Sequence, residues 1–391
     1  MKEILSSFNN LSRIINKDNL QYLTTGDGIF ARFNTNQVAL TLADYQKIVG
    51  LKKMAKSGLI PFALLNSAEN TIISPSGHSP KIQTIKEQLI KMEIQVVDAR
   101  DLYSNTNVIA FLREIGKLID VKNLMPNNDF QDDYSFAQFS LPLLHGFEFW
   151  KLYQNYHIKG ALTTVEQTAG AAIGLHLIQT QSTQDAGIAL ILNELTSDYV
   201  QSQNTQPGQI LWIDEKYTSA FRLYQFFLNQ RDADLEKLFQ NYTYLNTDAI
   251  VRIIRNHHQE PQKRSGQKQL ASQVVRDLYG AKRADDAKKV TTALFDSPDS
   301  LGKLTLEQFE LLLKELPVFD NQKQKRSLLD TLVAAQICTS RREGREFLSQ
   351  GAIQVDGIVK LNEHEELLPQ YFDCKYLLVK KGKKFFYIIK Y

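Results

Sequence analysis

The chain has 391 residues, 43% of them hydrophobic and 23% charged, with 46 Lys and Arg against 43 Asp and Glu. These proportions are ordinary for a folded chain and exclude disordered, collagen-like and coiled-coil classes, and the length suggests about two to four domains. The net charge of +3 by itself names no partner. Cys338 and Cys374 are too few for a disulfide framework, and neither sits in a zinc-binding spacing. The opening MKEILSSFNNLSRIINKDN is amphipathic and lacks the apolar core of a secretory signal, and no uninterrupted apolar window is long enough to span a membrane. These features predict a multidomain, cytoplasmic protein with no metal centre and no membrane contact.

Taken in chain order, residues 1–230 alternate short apolar runs with helical patterns. Ile60–Leu65, Ile94–Val97 and Ile188–Leu192 read as buried strands, and Ala43–Lys56 and Ile82–Met92 repeat apolar residues at helical spacing. Strand and helix alternating at this pitch predict a Rossmann-like parallel sheet in an α/β domain. Phe111, Leu112, Ile115, Leu118 and Ile119 fall on one face if 111–125 is a continuous helix. From residue 231 to 319 the pattern is helical, with Leu235, Leu238, Phe239 and Tyr242 on one face and Leu304, Leu306, Phe309, Leu312 and Leu313 on another. Phe319–Arg326, rich in polar and charged residues, reads as a linker. Helices over Leu328–Gln336 and Arg341–Gln350 come next, then strands at Tyr376–Val379 and Phe385–Ile389 around the turn KKGKK, in a small α+β domain over 320–391.

Charge is unevenly shared. Residues 320–391 carry a net +4, residues 231–319 a net +1 and residues 1–230 a net −2. Arg341, Arg342, Arg345, Lys380, Lys381, Lys383 and Lys384 therefore form a candidate set of phosphate contacts, with an ordinary solvated surface as the alternative. Phe385, Phe386 and Tyr387 read as strand residues rather than base-stacking platforms. His257, His258 and Glu260 read as an exposed polar turn more readily than as metal ligands. Ser76, Gly77 and His78 lack the surroundings of a nucleophile elbow.

The order of segments resembles the bacterial tyrosyl-tRNA synthetases, class I enzymes with a C-terminal S4 domain. KYTSAFRLYQFFLNQRDADLEKLFQNYTYL (216–245) is similar to the family's KTSPYEFYQFW stretch and its continuation. PQKRSGQKQLASQVVRDLYG (261–280) is similar to PxKRxAQxxLAxxVxxLVHG, and FLREIGKLIDVKNLM (111–125) to FLRDVGKHFSVNYMM at the family's dimer interface. SRREGREFLSQGAIQVDGIV and LLVKKGKKFFYIIKY resemble the S4 module, which rests on RNA backbone. The resemblance implies a catalytic-type domain over 1–230, a helical anticodon-binding-like domain over 231–319, an S4-like domain over 320–391, a homodimer, and tRNA or a tRNA-like RNA as partner.

It also implies positions for the family's chemistry, and these depart from the pattern. The ATP-binding His-Ile-Gly-His tetrad falls on Thr41, Leu42, Ala43 and Asp44, replacing two imidazoles by a hydroxyl and a carboxylate. Asp44 facing a triphosphate would repel it. The mobile KFGKT loop falls on Ser202, Gln203, Asn204, Thr205 and Gln206, and the stretch 198–209 contains no Lys or Arg. In the amino-acid pocket the ammonium-cradling tyrosine and glutamine become Leu141 and His145. The aspartate near the phenol becomes Glu148, and the GDPSGK aspartate becomes Ser74. TTVEQTAG in place of GGSDQWGN keeps Glu166 and Gln167. Phe30 and Asn34 complete this vestigial pocket.

These departures predict no catalytic residues, no bound cofactor and no useful affinity for ATP. The expected function is a non-catalytic RNA-binding homodimer. The alternatives are a ligase with a divergent site, or a sensor or protein-interaction module holding a small ligand between Leu141, His145 and Glu166.

Overall fold

The computed structural model describes residues 11–72, 82–104, 106–124, 135–181, 187–192, 210–295, 302–322, 324–369, 374–382 and 385–391. Contacts divide the chain into two units, Met1–Asp214 with Arg231–Gly266, and Glu215–Gln230 with Gln267–Tyr391.

The first unit is built on a six-stranded sheet. In chain order its strands are β1 (Leu11–Ile15), β2 (Gly28–Arg32), β3 (Ile60–Leu65), β4 (Gln95–Asp98), β5 (Ile158–Thr163) and β6 (Ile188–Leu192), arranged β1-β6-β5-β2-β3-β4. Every neighbour pair is parallel except β1 with β6, so the fold is the expected α/β parallel sheet with one antiparallel edge strand. The central strand β2 is buried at all five residues, as a strand covered on both faces must be. A Cβ on Gly28 would meet Ile158 Cγ1 at 2.6 Å, which explains glycine where β2 runs closest to β5.

The longer helices between these strands are α1 (Leu42–Ala55), α2 (Ile82–Lys91), α3 (Val108–Glu114), α4 (Phe136–Tyr156) and α5 (Thr168–Gln181). Helices α4 and α5 interlock through glycine. Cβ atoms on Gly146 and Gly174 would sit 2.3 Å from Ile173 and 2.6 Å from Phe149. This fixes the face of α4 that carries His145 and Glu148.

The continuous helix expected over 111–125 does not form. Helix α3 ends at Glu114, a 3-10 turn takes Gly116–Leu118, and a short helix resumes at Val121. The apolar residues divide accordingly. Ile115 and Ile119 are buried within the protomer and Phe111 packs edge-on against Phe147, while Val108, Ile109, Leu112, Leu118 and Val121 are exposed.

Past α6 (Ala220–Leu228), which belongs to the second unit, α7 (Leu235–Tyr242) and α8 (Thr247–Gln259) return to the first. Leu235, Leu238, Phe239 and Tyr242 are all buried, as their spacing requires.

The second unit continues with α9 (Ser265–Tyr279), α10 (Ala281–Phe295), α11 (Leu306–Leu313), α12 (Leu328–Ala334) and α13 (Arg341–Ser349). Its sheet has the order β7-β11-β10-β8-β9, from β7 (Val318–Asp320), β8 (Ile353–Val355), β9 (Ile358–Val359), β10 (Tyr376–Lys381) and β11 (Phe385–Lys390). Residues 318–320 are therefore no linker: they pair in parallel with β11, and the Asn321 amide donates to Lys390 O at 2.8 Å. Two apolar cores hold this unit. Phe221, Val290, Leu294, Phe309 and Leu312 pack with Leu378, Phe386 and Ile388, and Leu328, Leu332, Leu348, Ile353, Val379 and Ile389 form the other. No described helix is long and apolar enough to cross a membrane.

Candidate functional site

In a parallel α/β sheet, ligands bind beyond the carboxyl ends of the strands, where helix N-termini point at them. Helix α1 follows β2 and begins at such a place, and its first turn is occupied by its own side chain. Thr41 is the N-cap and Asp44 the third helical residue. The Asp44 carboxylate accepts from the Thr41 amide (3.0 Å), the Thr41 hydroxyl (2.9 Å) and the Gln37 amide (2.6 Å), and the Thr41 hydroxyl accepts from the Asp44 amide. This reciprocal capping box satisfies backbone donors that a helix start otherwise offers to an anion. Lys47 Nζ lies 3.4 Å from the same carboxylate and donates to Arg32 O. The Leu42 amide is taken by Leu211 O at 2.8 Å.

The expectation that Asp44 faces outward and repels phosphate is not met. Asp44 is instead turned back and buried at 4% exposure, because a carboxylate at the third helical position reaches the free amides of the first turn. Leu42 is buried and Ala43 exposed.

The residues expected to line a pocket converge on a side chain. Arg32, the last residue of β2, donates from Nε to Glu148 (3.0 Å) and from a terminal nitrogen to His145 O (2.6 Å), with its guanidinium 5.1 Å from the Phe30 ring centre. Glu148 also accepts from the Ala68 amide at 2.6 Å and the Tyr103 hydroxyl at 3.2 Å. Arg32 and Glu148 are 4% and 0% exposed, so this is a buried ion pair with its hydrogen bonds filled in.

Burial pushes the Glu148 carboxyl up, against the pull of Arg32, the Ala68 amide and the Tyr103 hydroxyl. Burial, then the neighbouring Arg32 charge, pushes the His145 imidazole well below its usual range, so it is neutral. Its Nε2 has no hydrogen-bond partner among the described residues. Burial and the Glu148 charge raise the Tyr103 phenol, which donates and does not ionise.

Phe30, His145 and Glu148 are thus brought together, with Arg32 occupying the space between them. Leu141 is half-buried on α4, and Asn34 and Glu166 are exposed. Gln167 accepts from the Thr163 hydroxyl at 3.2 Å. The expected ligand site between Leu141, His145 and Glu166 is not assembled, because Glu166 faces solvent while His145 is sealed under α5. Ser74, Ser76, Gly77 and His78, and Ser202, Gln203, Asn204, Thr205 and Gln206, lie outside the described residues.

Sequence reasoning missed Arg32, Tyr103, Gln37 and Lys47. Arg32 alone left a trace, a charged residue ending the apolar run GIFA.

The basic set in the second unit is only partly free. Arg341 pairs with Asp330 and Arg345 with Glu363, both at 2.6 Å. Lys381, an expected phosphate contact, is turned inward, donating to Ile337 O (2.7 Å) and Glu343 (2.8 Å) and lying 4.4 Å from the Phe347 ring centre. Arg342 is exposed and has no ion pair among the described residues, and Lys380 lies over the Phe386 ring. Lys383 and Lys384 lie outside the described residues. Phe386 is buried and Phe385 exposed on β11, as strand residues.

His257 departs from the exposed turn expected of it: it is fully buried in the last turn of α8, with Nε2 3.2 Å from the Asp232 carboxylate. Helix packing turns it inward, since a Cβ on Gly266 would meet its ring carbon at 3.1 Å. Among the described residues no group of three or more His, Cys, Asp and Glu is placed to hold a metal ion.

Comparison with known proteins decides the family. Residues 76–296 match the model for class I tRNA synthetases of the W and Y type, and residues 308–389 match the tyrosine–tRNA ligase SYY-like C-terminal domain. The chain belongs to the tyrosyl-tRNA synthetase family. It is 31% identical to a tyrosine–tRNA ligase of Ureaplasma urealyticum serovar 10, covering 98% of this chain and 97% of the relative. A tyrosine–tRNA ligase of Mycoplasmopsis agalactiae is 30% identical over 96% of this chain and 95% of its own length.

Among solved structures, the C-terminally truncated mitochondrial tyrosyl-tRNA synthetase of Aspergillus nidulans superposes with a TM-score of 0.62 at 20% identity, over 75% of this chain and 92% of the other. The tyrosyl-tRNA synthetase of Archaeoglobus fulgidus, solved with L-tyrosine, gives 0.55 at 10% identity, over 74% and 98%. At these identities the structures establish a shared fold.

Proposed function

We propose that this protein is a tyrosyl-tRNA synthetase homologue that no longer forms an aminoacyl-adenylate and serves as an RNA-binding homodimer. The observation that carries the reading is the Asp44 carboxylate at the first turn of α1, on Thr41, Gln37 and Lys47. An anion brought to that turn would have to displace a resident carboxylate already held by several donors. Arg32 supports the same reading from the pocket side. A free amino-acid ammonium placed between Phe30, His145 and Glu148 would meet a guanidinium. Neither ATP nor another cofactor is required on this account. The names of the relatives favour the competing reading, a tyrosine ligase working through a divergent site.

For the RNA-binding half, we propose tRNA or a tRNA-like RNA as partner, met by the S4-like segment 320–391. Arg342 is exposed and Lys380 half-buried over the Phe386 ring, neither held by an ion pair among the described residues, and the family's C-terminal domain supports their role. The test is a salt titration of tRNA binding by the intact protein and by the Arg342→Gln, Lys380→Gln variant. Two lost phosphate contacts should lower the slope of log affinity against log salt by about 2. An unchanged slope in a folded variant removes these residues from the interface.

A further inference from the structure

Successive side chains of a strand point to opposite faces, and the last two residues of β10 divide accordingly. Lys380 lies over the Phe386 ring, while Lys381 turns toward α13, with Nζ 4.4 Å from the Phe347 ring centre. Lys381 Nζ donates to Ile337 O at 2.7 Å and to one oxygen of Glu343 at 2.8 Å. The other Glu343 oxygen accepts from the Thr339 amide at 2.6 Å and the Thr339 hydroxyl at 2.5 Å. The Lys381 hydrogen bond, followed by those of Thr339, holds the Glu343 carboxyl down to about 2.

These contacts meet at the corner between α12 and α13. The chain turns there through Gln336, at φ 55 in the left-handed region, and the Ile337 and Cys338 amides both donate to Leu332 O, at 2.9 and 3.1 Å. Ser340 caps α13 by accepting from the Glu343 amide at 3.2 Å. A Cβ on Gly344 would meet Leu329 Cδ1 at 2.5 Å, so α13 lies directly against α12. Lys381 adds a tie from the sheet. It joins the end of β10 to the corner carbonyl at Ile337 and to the carboxylate in the first turn of α13.

Stability alone does not call for a cation here. An ion pair still in touch with solvent contributes little, and a methionine would keep an apolar stem beside Phe347. What the ammonium supplies is direction, since it holds two acceptors from different parts of the chain at one point. In the same first turn of α13, Arg342 is exposed and has no ion pair among the described residues. We propose that Lys381 is a positioning residue for RNA binding: it fixes the α12–α13 corner, and with it Arg342, against the sheet, and itself contacts no phosphate. Glu343, its partner, serves the same end although it carries the charge that RNA repels. The inference rests on the RNA-binding reading above and gives one cation of the basic run a different task from the others.

The test measures binding of an unmodified tRNA transcript by the full chain across a salt series, with circular dichroism to verify that each variant is folded. Lys381→Met keeps the stem and removes the donor. It should lose roughly tenfold in affinity at every salt concentration, as loss of a supporting residue does, with the slope of log affinity against log salt unchanged. Loss of a phosphate contact would instead flatten that slope by about 1. Lys381→Arg, which keeps the charge and donors, should restore most of the affinity. Glu343→Met separates positioning from charge by sign. Removing an acid should tighten RNA binding if only the field matters, and should weaken it if the tie matters. Combined with Lys381→Met it should cost little more, because both break the same tie. A Lys381→Met variant with a flatter slope or unchanged affinity, or a Glu343→Met variant that binds more tightly, overturns the positioning role and leaves the RNA-binding reading standing. A parent protein that does not bind the transcript overturns both.

Discussion

The Asp44 carboxylate lies 3.0 Å from the amide of Thr41, and the Thr41 hydroxyl in turn accepts from the amide of Asp44. Both residues thereby direct their polarity to starting their own helix. Asp44→Ala should cost about 1–2 kcal/mol, the usual worth of a cap combined with an acid at a helix start. Asp44→Asn, which keeps an acceptor but loses the Lys47 ion pair, should cost less. Urea denaturation measures both, and an alanine variant as stable as the parent would show that the capping box holds nothing.

Arg32 and Glu148 should behave as a buried pair. Arg32→Met strands a carboxylate that is 0% exposed, at about 3–5 kcal/mol. Replacing both, by Arg32→Met and Glu148→Leu, should recover most of that loss. The double-mutant cycle decides it: simple additivity of the two single variants would mean that the pair is not coupled.

Lys53 provides a pH signature. It is buried in α1, donates to Gln240 O at 2.6 Å, and burial followed by the nearby Lys56 charge lowers it to about 8 from 10.5. A base whose folded value is depressed leaves the unfolded chain holding more protons between these two pH values, so stability rises with pH across that window. The rise should reach roughly 3 kcal/mol at most, and as pH falls through about 8 the contribution is lost. Lys53→Met should flatten this part of the curve. A parent whose stability stays level between pH 8 and 10 would refute the assignment.

Exposed Val108, Ile109, Leu112 and Val121 give the proposed homodimer its surface. Ile109→Asp, a residue 63% exposed in the protomer, should leave the fold intact and shift sedimentation from dimer to monomer at micromolar concentration. A parent that sediments as a monomer disposes of the dimer.

What the sequence revealed and what it hid divide along physical lines. Ile60–Leu65 and Ile188–Leu192 were legible because unbroken apolar runs leave little choice but a buried strand. Strand β2 was not, since it is five residues long and ends in an arginine whose partner Glu148 lies 116 positions away. Periodicity over 111–125 could not show where the chain leaves helical geometry, and so it merged inward-facing Ile115 with outward-facing Leu112. At the site, the identities of Thr41 and Asp44 were plain, and their spacing is itself a helix-start signal. The orientation of Asp44 was missed because the expectation aimed its carboxylate at a ligand and not at the free amides of its own helix. Lys381 was misjudged for a related reason: charge in a basic run says nothing of a buried carbonyl, Ile337 O, waiting 44 residues earlier.

The measurement that bears most directly on the central claim is tyrosine-dependent exchange of labelled pyrophosphate into ATP, made on protein purified free of the host synthetase. With Asp44 seated on the first turn of α1 and Arg32 between Phe30 and Glu148, exchange should not rise above the no-enzyme background at any tyrosine concentration. Exchange that saturates with tyrosine and survives removal of contaminating synthetase would contradict the account and establish the protein as a working tyrosine ligase.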